Sequence, residues 1–158
     1  MTFFQKIELD TTGSLYRSAM PFGTYDKSGD LIKEYLMQGI ATVVLLAGDE
    51  ECMEKSGINL RAYYALQGLN VLPLPCADFG IPGKAETARM VRDVLNRLGK
   101  GENLAVHCSA GIGRTGTFLA CMVKEQRKLS GDEAISWIRT QIPDAVETSE
   151  QEVFVQHY

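Results

Sequence analysis

A ten-residue segment in the second half of the chain combines a cysteine, glycines and an arginine in an order that suits phosphate chemistry. It reads His107-Cys108-Ser109-Ala110-Gly111-Ile112-Gly113-Arg114-Thr115-Gly116. An apolar strand candidate precedes it and a helical pattern follows. Glycines there can turn successive backbone N–H groups inward, and the helix start adds its own unpaired donors. The segment therefore predicts a phosphate-binding loop, named here the phosphate loop (residues 108–114).

Two side chains in this loop are suited to covalent catalysis. Arg114 lies six positions after Cys108, and its planar fork can bond two phosphate oxygens at once. Nearby donors and positive charge favour the thiolate of Cys108 over the thiol. A thiolate beneath a bound phosphate is placed for in-line attack on phosphorus, giving a phosphocysteine that water then hydrolyses. We predict Cys108 as the nucleophile and Arg114 as the phosphate clamp.

This chemistry also needs a proton donor for the leaving oxygen, and the donor can later activate the water. Our candidate is Asp78, in Cys76-Ala77-Asp78-Phe79-Gly80-Ile81-Pro82, named here the acid loop (residues 76–82). The stretch follows a strand candidate and is rich in turn residues, so it should be a loop near the same sheet edge. The competing interpretation is an aspartate that only bonds its own turn.

Short apolar runs alternate with helical periods along the chain. Residues 41–46 and 104–107 are typical of strands covered on both faces, and residues 71–74 form a third candidate, weakened by Pro73. Helical periods lie at residues 31–36 and 90–98, each ending near a glycine. The pattern predicts an α/β fold with a central, mostly parallel sheet flanked by helices.

Three helical segments are expected after the last strand. Ser130 with Glu133, and Thr148 with Gln151, have the spacing of capping boxes and mark the starts of the second and third. The acidic residues 49–51 follow a strand candidate and are most simply a solvated turn.

Length, composition and charge limit the possible functions. The 158 residues, 45% of them apolar, suit one domain spanning residues 1–158. A net charge of −4 offers no global attraction to nucleic acid or anionic lipid. There is no membrane-spanning apolar run or export signal, and the four cysteines show no zinc or disulfide spacing. We expect a soluble, cytoplasmic protein without metal or cofactor, and expect Cys76 and Cys121 to be core residues.

The motif His-Cys-x-x-Gly-x-Gly-Arg-Thr-Gly resembles the signature of the protein tyrosine phosphatase superfamily, and Asp78 to Pro82 resembles the general-acid loop of its dual-specificity branch. Residues 15–21 and 146–151 are similar to the opening and water-placing segments of small members, so nearly the whole chain is covered. The resemblance implies that Thr115 bonds the cysteine sulfur and eases its departure. It also implies that His107 tunes the thiolate from behind. We interpret His107 as a hydrogen-bonded structural residue with an orienting role rather than as a proton carrier, because the mechanism already has its acid.

Two departures from the tyrosine-specific pattern leave substrate preference open. Glu147 stands where those enzymes have glutamine before Thr148, so Gln151 either takes over the placing of water or serves only as a capping partner. No tyrosine-bearing loop that deepens the pocket is found, which implies a shallower, dual-specificity pocket. The segment 109–113 nevertheless matches the tyrosine-specific loop.

The expected substrate is a phosphorylated protein, and the sequence gives no signal for oligomerisation. One alternative is a phosphatase of phosphoinositides, other polyphosphates or RNA ends, although such enzymes often carry lysines inside the loop and this loop has none. A noncatalytic phosphoprotein-binding module is a second alternative, but such modules usually lose the cysteine, arginine or acid. Sulfurtransferases and arsenate reductases also use a cysteine in an anion loop, yet the glycines and upstream aspartate suit a phosphatase better.

Overall fold

The computed structural model describes residues 3–158, in which five strands and seven helices are present. Met1 and Thr2, which the predicted domain includes, lie outside the described residues. The strands are β1 Phe4–Ile7, β2 Leu15–Ser18, β3 Ile40–Leu45, β4 Asn70–Pro73 and β5 Asn103–His107. The helices are α1 Asp30–Met37, α2 Asp49–Ser56, α3 Leu60–Leu66, α4 Lys84–Gly99, α5 Gly113–Arg127, α6 Gly131–Gln141 and α7 Ser149–His157.

The five strands form one sheet in the order β1-β2-β5-β3-β4. Only the edge pair β1–β2 is antiparallel, whereas β2–β5, β5–β3 and β3–β4 are parallel. This confirms the predicted mostly parallel sheet, and the strand that leads into the phosphate loop, β5, is the central one. Parallel strands of this kind are buried on both faces, which explains the mostly apolar sequences of β3 and β5.

Side chains of the central strands alternate between two cores. Val44 packs with the apolar faces of α4 to α7, whereas its neighbours Val43 and Leu45 pack on the opposite face with α1 to α3. The chain is therefore a sheet between two layers of helices. Within residues 3–158, no helix has both the length and the apolar character that crossing a membrane requires.

The helices predicted from periodicity and caps are confirmed. Both capping boxes are formed, with Ser130 and Thr148 as the N-caps of α6 and α7. The interpretation of residues 49–51 as a solvated turn is wrong, because these residues are the first turn of α2. Three acidic side chains at a helix N-terminus complement the positive end of the helix dipole.

Loops from three parallel strands meet at one edge of the sheet. Where these strands end, the Leu46 amide donates to the His107 carbonyl at 3.0 Å and the Cys76 amide donates to the Leu46 carbonyl at 3.0 Å. These bonds hold the start of the phosphate loop, the approach to α2 and the acid loop side by side. The carboxyl edge of such a sheet is where open α/β folds bind their ligands.

Candidate active site

The phosphate loop rests against the carboxyl end of β2 and the residues just after it. The Met20 amide donates to the Ser109 carbonyl at 2.8 Å, and Arg17 Nη1 lies 3.5 Å from the Gly111 carbonyl oxygen. Gly111 has a φ of +78°, and a Cβ there would collide with the Ser18 carbonyl. Glycine is therefore required at this position both by the left-handed backbone and by the close approach of β2.

The predicted nucleophile lies at the base of this loop. Cys108 is 3% exposed, and the hydroxyl of Thr115, at the start of α5, donates to its sulfur at 3.2 Å. The family resemblance implies that Thr115 acts on this sulfur, and the structure places the two in contact.

The guanidinium of Arg114 is held by a carboxylate from α2. Its Nη1 and Nη2 atoms each donate to one oxygen of Glu51 at 2.8 Å, and Nη1 also donates to the Cys76 carbonyl at 3.0 Å. Burial alone would raise the pKa of Glu51, but hydrogen bonds from Arg114 and Lys55 outweigh it and lower this pKa to about 2. Glu51 is therefore an anion at neutral pH and fixes the plane of the fork.

One donor of this guanidinium is not used by protein. Arg114 Nε is buried and has no hydrogen-bond partner among residues 3–158. Buried donors are nearly always paired, so an unpaired one in a cleft calls for a physical explanation. A phosphate oxygen bound above Cys108 would satisfy this donor.

The predicted acid belongs to the same charge cluster. One oxygen of Asp78 lies 3.1 Å from Arg114 Nη2 and the other lies 3.2 Å from Lys55 Nζ. The Asp78 side chain is 41% exposed, so a substrate can reach it. The structure thus brings Asp78 of the acid loop to Arg114 of the phosphate loop, which also carries Cys108.

His107 lies behind the nucleophile and does not face the cleft. Its Nε2 is 2.7 Å from the Tyr64 hydroxyl and its Nδ1 is 2.9 Å from the Cys108 carbonyl oxygen. Burial lowers the pKa of His107 to about 4, so the ring is neutral at pH 7. A neutral ring whose Nδ1 faces a carbonyl must carry its proton there, and Nε2 then accepts from Tyr64.

The segment where the chain departs from the tyrosine-specific pattern borders the site. Gln151 is fully buried and completes the capping box with Thr148, while its amide nitrogen donates to the Gly80 carbonyl of the acid loop at 3.1 Å. Glu147 lies nearby, and a Cβ at Gly113 would collide with its carboxylate. Burial, and then the negative charge of Asp78, raise the pKa of Glu147.

The other cysteines have different environments. Cys121 is fully buried in the core, and burial raises its pKa to about 12, as expected for a packing residue. Cys76 is only partly buried, and its carbonyl oxygen accepts a hydrogen bond from Arg114. The prediction of a core residue is therefore confirmed for Cys121 and wrong for Cys76.

Sequence reasoning missed the residues that orient the clamp. Glu51 and Lys55 are four residues apart on α2 and form an ion pair at 2.8 Å. Two signals were available: the i, i+4 spacing of opposite charges on a helix, and their place after the carboxyl end of β3. Tyr64, the partner of His107, had no comparable signal because tyrosine is common in ordinary cores.

Comparison with protein families identifies the group to which this geometry belongs. A family model described as "Swiss Army Knife protein, DSP-PTPase phosphatase domain" matches residues 11–155. The chain belongs to this family. Among curated proteins, the chain is 26% identical over 155 residues to the mouse (Mus musculus) protein tyrosine phosphatase domain-containing protein 1, which covers 93% of this chain and 21% of that protein. The chain thus spans about a fifth of the length of this relative.

Solved structures of phosphatases share the fold. Tk-PTP in its active form is 28% identical, with a TM-score of 0.76 over 92% of this chain and 90% of that chain. Kinase associated phosphatase, solved with serine in place of its catalytic cysteine, superimposes with a TM-score of 0.87 at 20% identity, over 98% of this chain and 92% of that chain. The fold is therefore that of the protein tyrosine phosphatase superfamily, which the sequence motif predicted.

Proposed function

We propose that this chain is a protein-tyrosine or dual-specificity phosphatase that hydrolyses phosphate monoesters through a phosphocysteine at Cys108, without a metal. The observation that carries the proposal is the arrangement around Arg114. Glu51 holds its fork, Asp78 lies beside it, and its buried Nε has no protein partner in residues 3–158. A tetrahedral anion above Cys108 is the ligand that this set of groups suits.

In the first step, the Cys108 thiolate attacks phosphorus opposite the ester oxygen. The S–P bond forms while the P–O ester bond breaks, and protonated Asp78 gives its proton to the departing oxygen. Arg114 Nε and the N–H groups of the phosphate loop stabilise the charge on the equatorial oxygens.

In the second step, water attacks the phosphocysteine and releases inorganic phosphate. Asp78, now a carboxylate, accepts a proton from the water as the new P–O bond forms and the S–P bond breaks. The Thr115 hydroxyl, 3.2 Å from the sulfur, stabilises the thiolate that leaves. The enzyme returns to its starting protonation state.

We further propose that the substrate is a phosphorylated protein, with phosphotyrosine favoured and phosphoserine or phosphothreonine also accepted. Beside the site lies a groove of about 660 Å³ lined by four carboxylates and one lysine: Glu50, Glu51, Glu54, Asp78 and Lys55. Glu51 and Asp78 are paired with Arg114 and Lys55, but Glu50 and Glu54 add negative charge beside them. This charge disfavours phosphoinositides, other polyphosphates and RNA ends. A reducing cytoplasm suits this chemistry, because Cys108 must stay reduced to act as a nucleophile.

The test is hydrolysis of p-nitrophenyl phosphate in the presence of EDTA. We expect turnover that vanadate inhibits and that Cys108→Ser abolishes without loss of fold. The control is Cys121→Ala, which removes a buried thiol of α5 outside the site. This variant should retain activity at temperatures where it is folded. Activity that survives in Cys108→Ser, or that requires added metal, contradicts the mechanism.

A substrate panel tests the proposed class. We expect phosphotyrosine peptides to be turned over faster than inositol phosphates. The opposite order would favour the phosphoinositide alternative. Stable capture of phosphopeptides by the unsubstituted protein, without release of phosphate, would favour a binding module.

A further inference from the structure

The carboxamide of Gln151 is buried, and both of its ends are engaged. Its oxygen accepts from the backbone amides of Glu147 at 2.8 Å and Thr148 at 3.2 Å. Its nitrogen donates to the Gly80 carbonyl at 3.1 Å. The residue is 0% exposed, so the second N–H of this nitrogen is not open to a water molecule in the cleft.

The two capping boxes of the chain differ at the residue that returns to the N-cap. The box of α6 uses Glu133, whose carboxylate accepts from the Ser130 amide at 3.0 Å. The box of α7 uses Gln151 in the same position. A carboxylate serves the cap equally well but cannot donate a hydrogen bond. Capping therefore does not explain the amide, whereas the bond to Gly80 does.

The acid loop has a backbone that needs such support. Phe79 has a φ of +64°, a left-handed conformation that costs a residue other than glycine about 1–2 kcal/mol. Its amide donates to Asp78 at 3.0 Å, and its carbonyl accepts from the Thr148 hydroxyl at 3.4 Å. Such a conformation persists only where the surroundings hold it, and here two consecutive carbonyls, of Phe79 and Gly80, are held by the start of α7.

We propose that Gln151 is a positioning residue that fixes the acid loop so that Asp78 reaches the leaving oxygen, and that it does not place the hydrolytic water. This inference rests on the proposed function. Gln151 acts through the backbone of Gly80, two residues after Asp78, and touches no reacting atom. Loss of its donor weakens proton delivery to the leaving group while the capping of α7 remains.

The discriminating variant is Gln151→Glu, which keeps the capping acceptor and removes the donor. A poor leaving group depends on the acid more than a good one does. We expect kcat/KM for phenyl phosphate to fall about 10-fold or more, which is part of the roughly 100- to 10,000-fold that a general acid contributes. For p-nitrophenyl phosphate we expect kcat/KM to fall less than about threefold. Ser130→Ala, which weakens the matched box of α6, should lower both equally or neither. Equal losses in Gln151→Glu would overturn the proposal.

A double-mutant cycle with Asp78→Asn tests whether Gln151 acts through the acid. If it does, Gln151→Glu adds no more than about a twofold loss in the Asp78→Asn background. Additive losses would show instead that Gln151 acts independently of Asp78, as a residue that places the hydrolytic water would.

Amide hydrogen exchange separates failure of this inference from failure of the proposed function, because it needs no activity. Loss of one hydrogen bond worth about 1 kcal/mol should speed exchange in residues 76–83 about fivefold in Gln151→Glu. Exchange at the start of α7 should stay unchanged. Unchanged exchange in residues 76–83 would refute the support of the loop by Gln151, whether or not the chain hydrolyses phosphate.

Discussion

The contact between Glu51 and Arg114 gives the sharpest prediction about catalysis. The perturbation is Glu51→Gln, which keeps the shape of the side chain and one acceptor oxygen. It removes the negative charge and one of two hydrogen bonds at 2.8 Å to a guanidinium whose side chain is 1% exposed. The matched control is Asp49→Asn on the same helix, because Asp49 pairs with Arg61 in an exposed position.

The magnitude follows from the kind of bond that is lost. A hydrogen bond to a charged group contributes about 1.5–3 kcal/mol, and Arg114 keeps the Cys76 carbonyl and Asp78 as partial compensation. We therefore expect a loss of about 2 kcal/mol, which for a domain of this size lowers Tm by about 4–8 °C. Exposed pairs contribute about 0–1 kcal/mol, so Asp49→Asn should change Tm little.

The same 2 kcal/mol corresponds to about a 30-fold lower rate if the fork loses its orientation in the transition state. Removing a carboxylate near a phosphate dianion also weakens repulsion, so KM should not rise. Glu51→Gln should therefore lower kcat while KM stays level or falls, measured on p-nitrophenyl phosphate beside a thermal melt. An unchanged kcat with a raised KM would refute the orienting role of Glu51.

Two further predictions concern residues around the nucleophile. Gly111→Ala should lower both Tm and the affinity for vanadate, because the new Cβ would meet the Ser18 carbonyl. The control is Gly57→Ala, where φ is a similar +76° but the space is open, so the free energy of unfolding should fall by only about 1 kcal/mol. Equal effects of the two substitutions would contradict the close approach at Gly111. The pKa of His107 is about 4 when folded, below its ordinary 6.5. The neutral ring therefore contributes fully to the free energy of unfolding above pH 6.5. This contribution is lost as the pH falls, and the loss is about 2 kcal/mol at pH 5. In urea unfolding, the free energy of unfolding of His107→Asn should decline less steeply with falling pH than that of the unsubstituted protein. An identical decline in the two proteins would show that His107 is not the group responsible.

Strands and helices with a buried, periodic pattern could be predicted from the sequence. The apolar residues of β3 and β5 are consecutive or nearly so, and those of α4 recur with a helical period. Both patterns indicate burial directly. β1 and β2 have only four residues each, too few to establish a period. α2 buries only Cys52, so its sequence resembles a charged turn.

The candidate site was predicted where its chemistry is local in sequence. The phosphate loop carries cysteine, glycines and arginine within one short segment, so spacing alone indicates their proximity. Glu51 is 63 residues from Arg114, and nothing in its local sequence separates it from a solvated acid. The pairing depends on how β3 and β5 lie in the sheet, which local sequence does not encode.

The phosphate loop alone therefore does not determine activity. β2 and the residues just after it contact its backbone at Gly111 and Ser109. α2 holds the guanidinium of Arg114, and α7 holds the loop that carries Asp78. In the proposed mechanism, each support acts on a different requirement: phosphate binding, orientation of the clamp and delivery of the proton. A relative could keep every residue of the ten-residue motif, lose the partner on α2 or α7, and still bind phosphate with slow turnover. Residues in contact with the motif, as well as those within it, must therefore be compared before activity is assigned to such a chain.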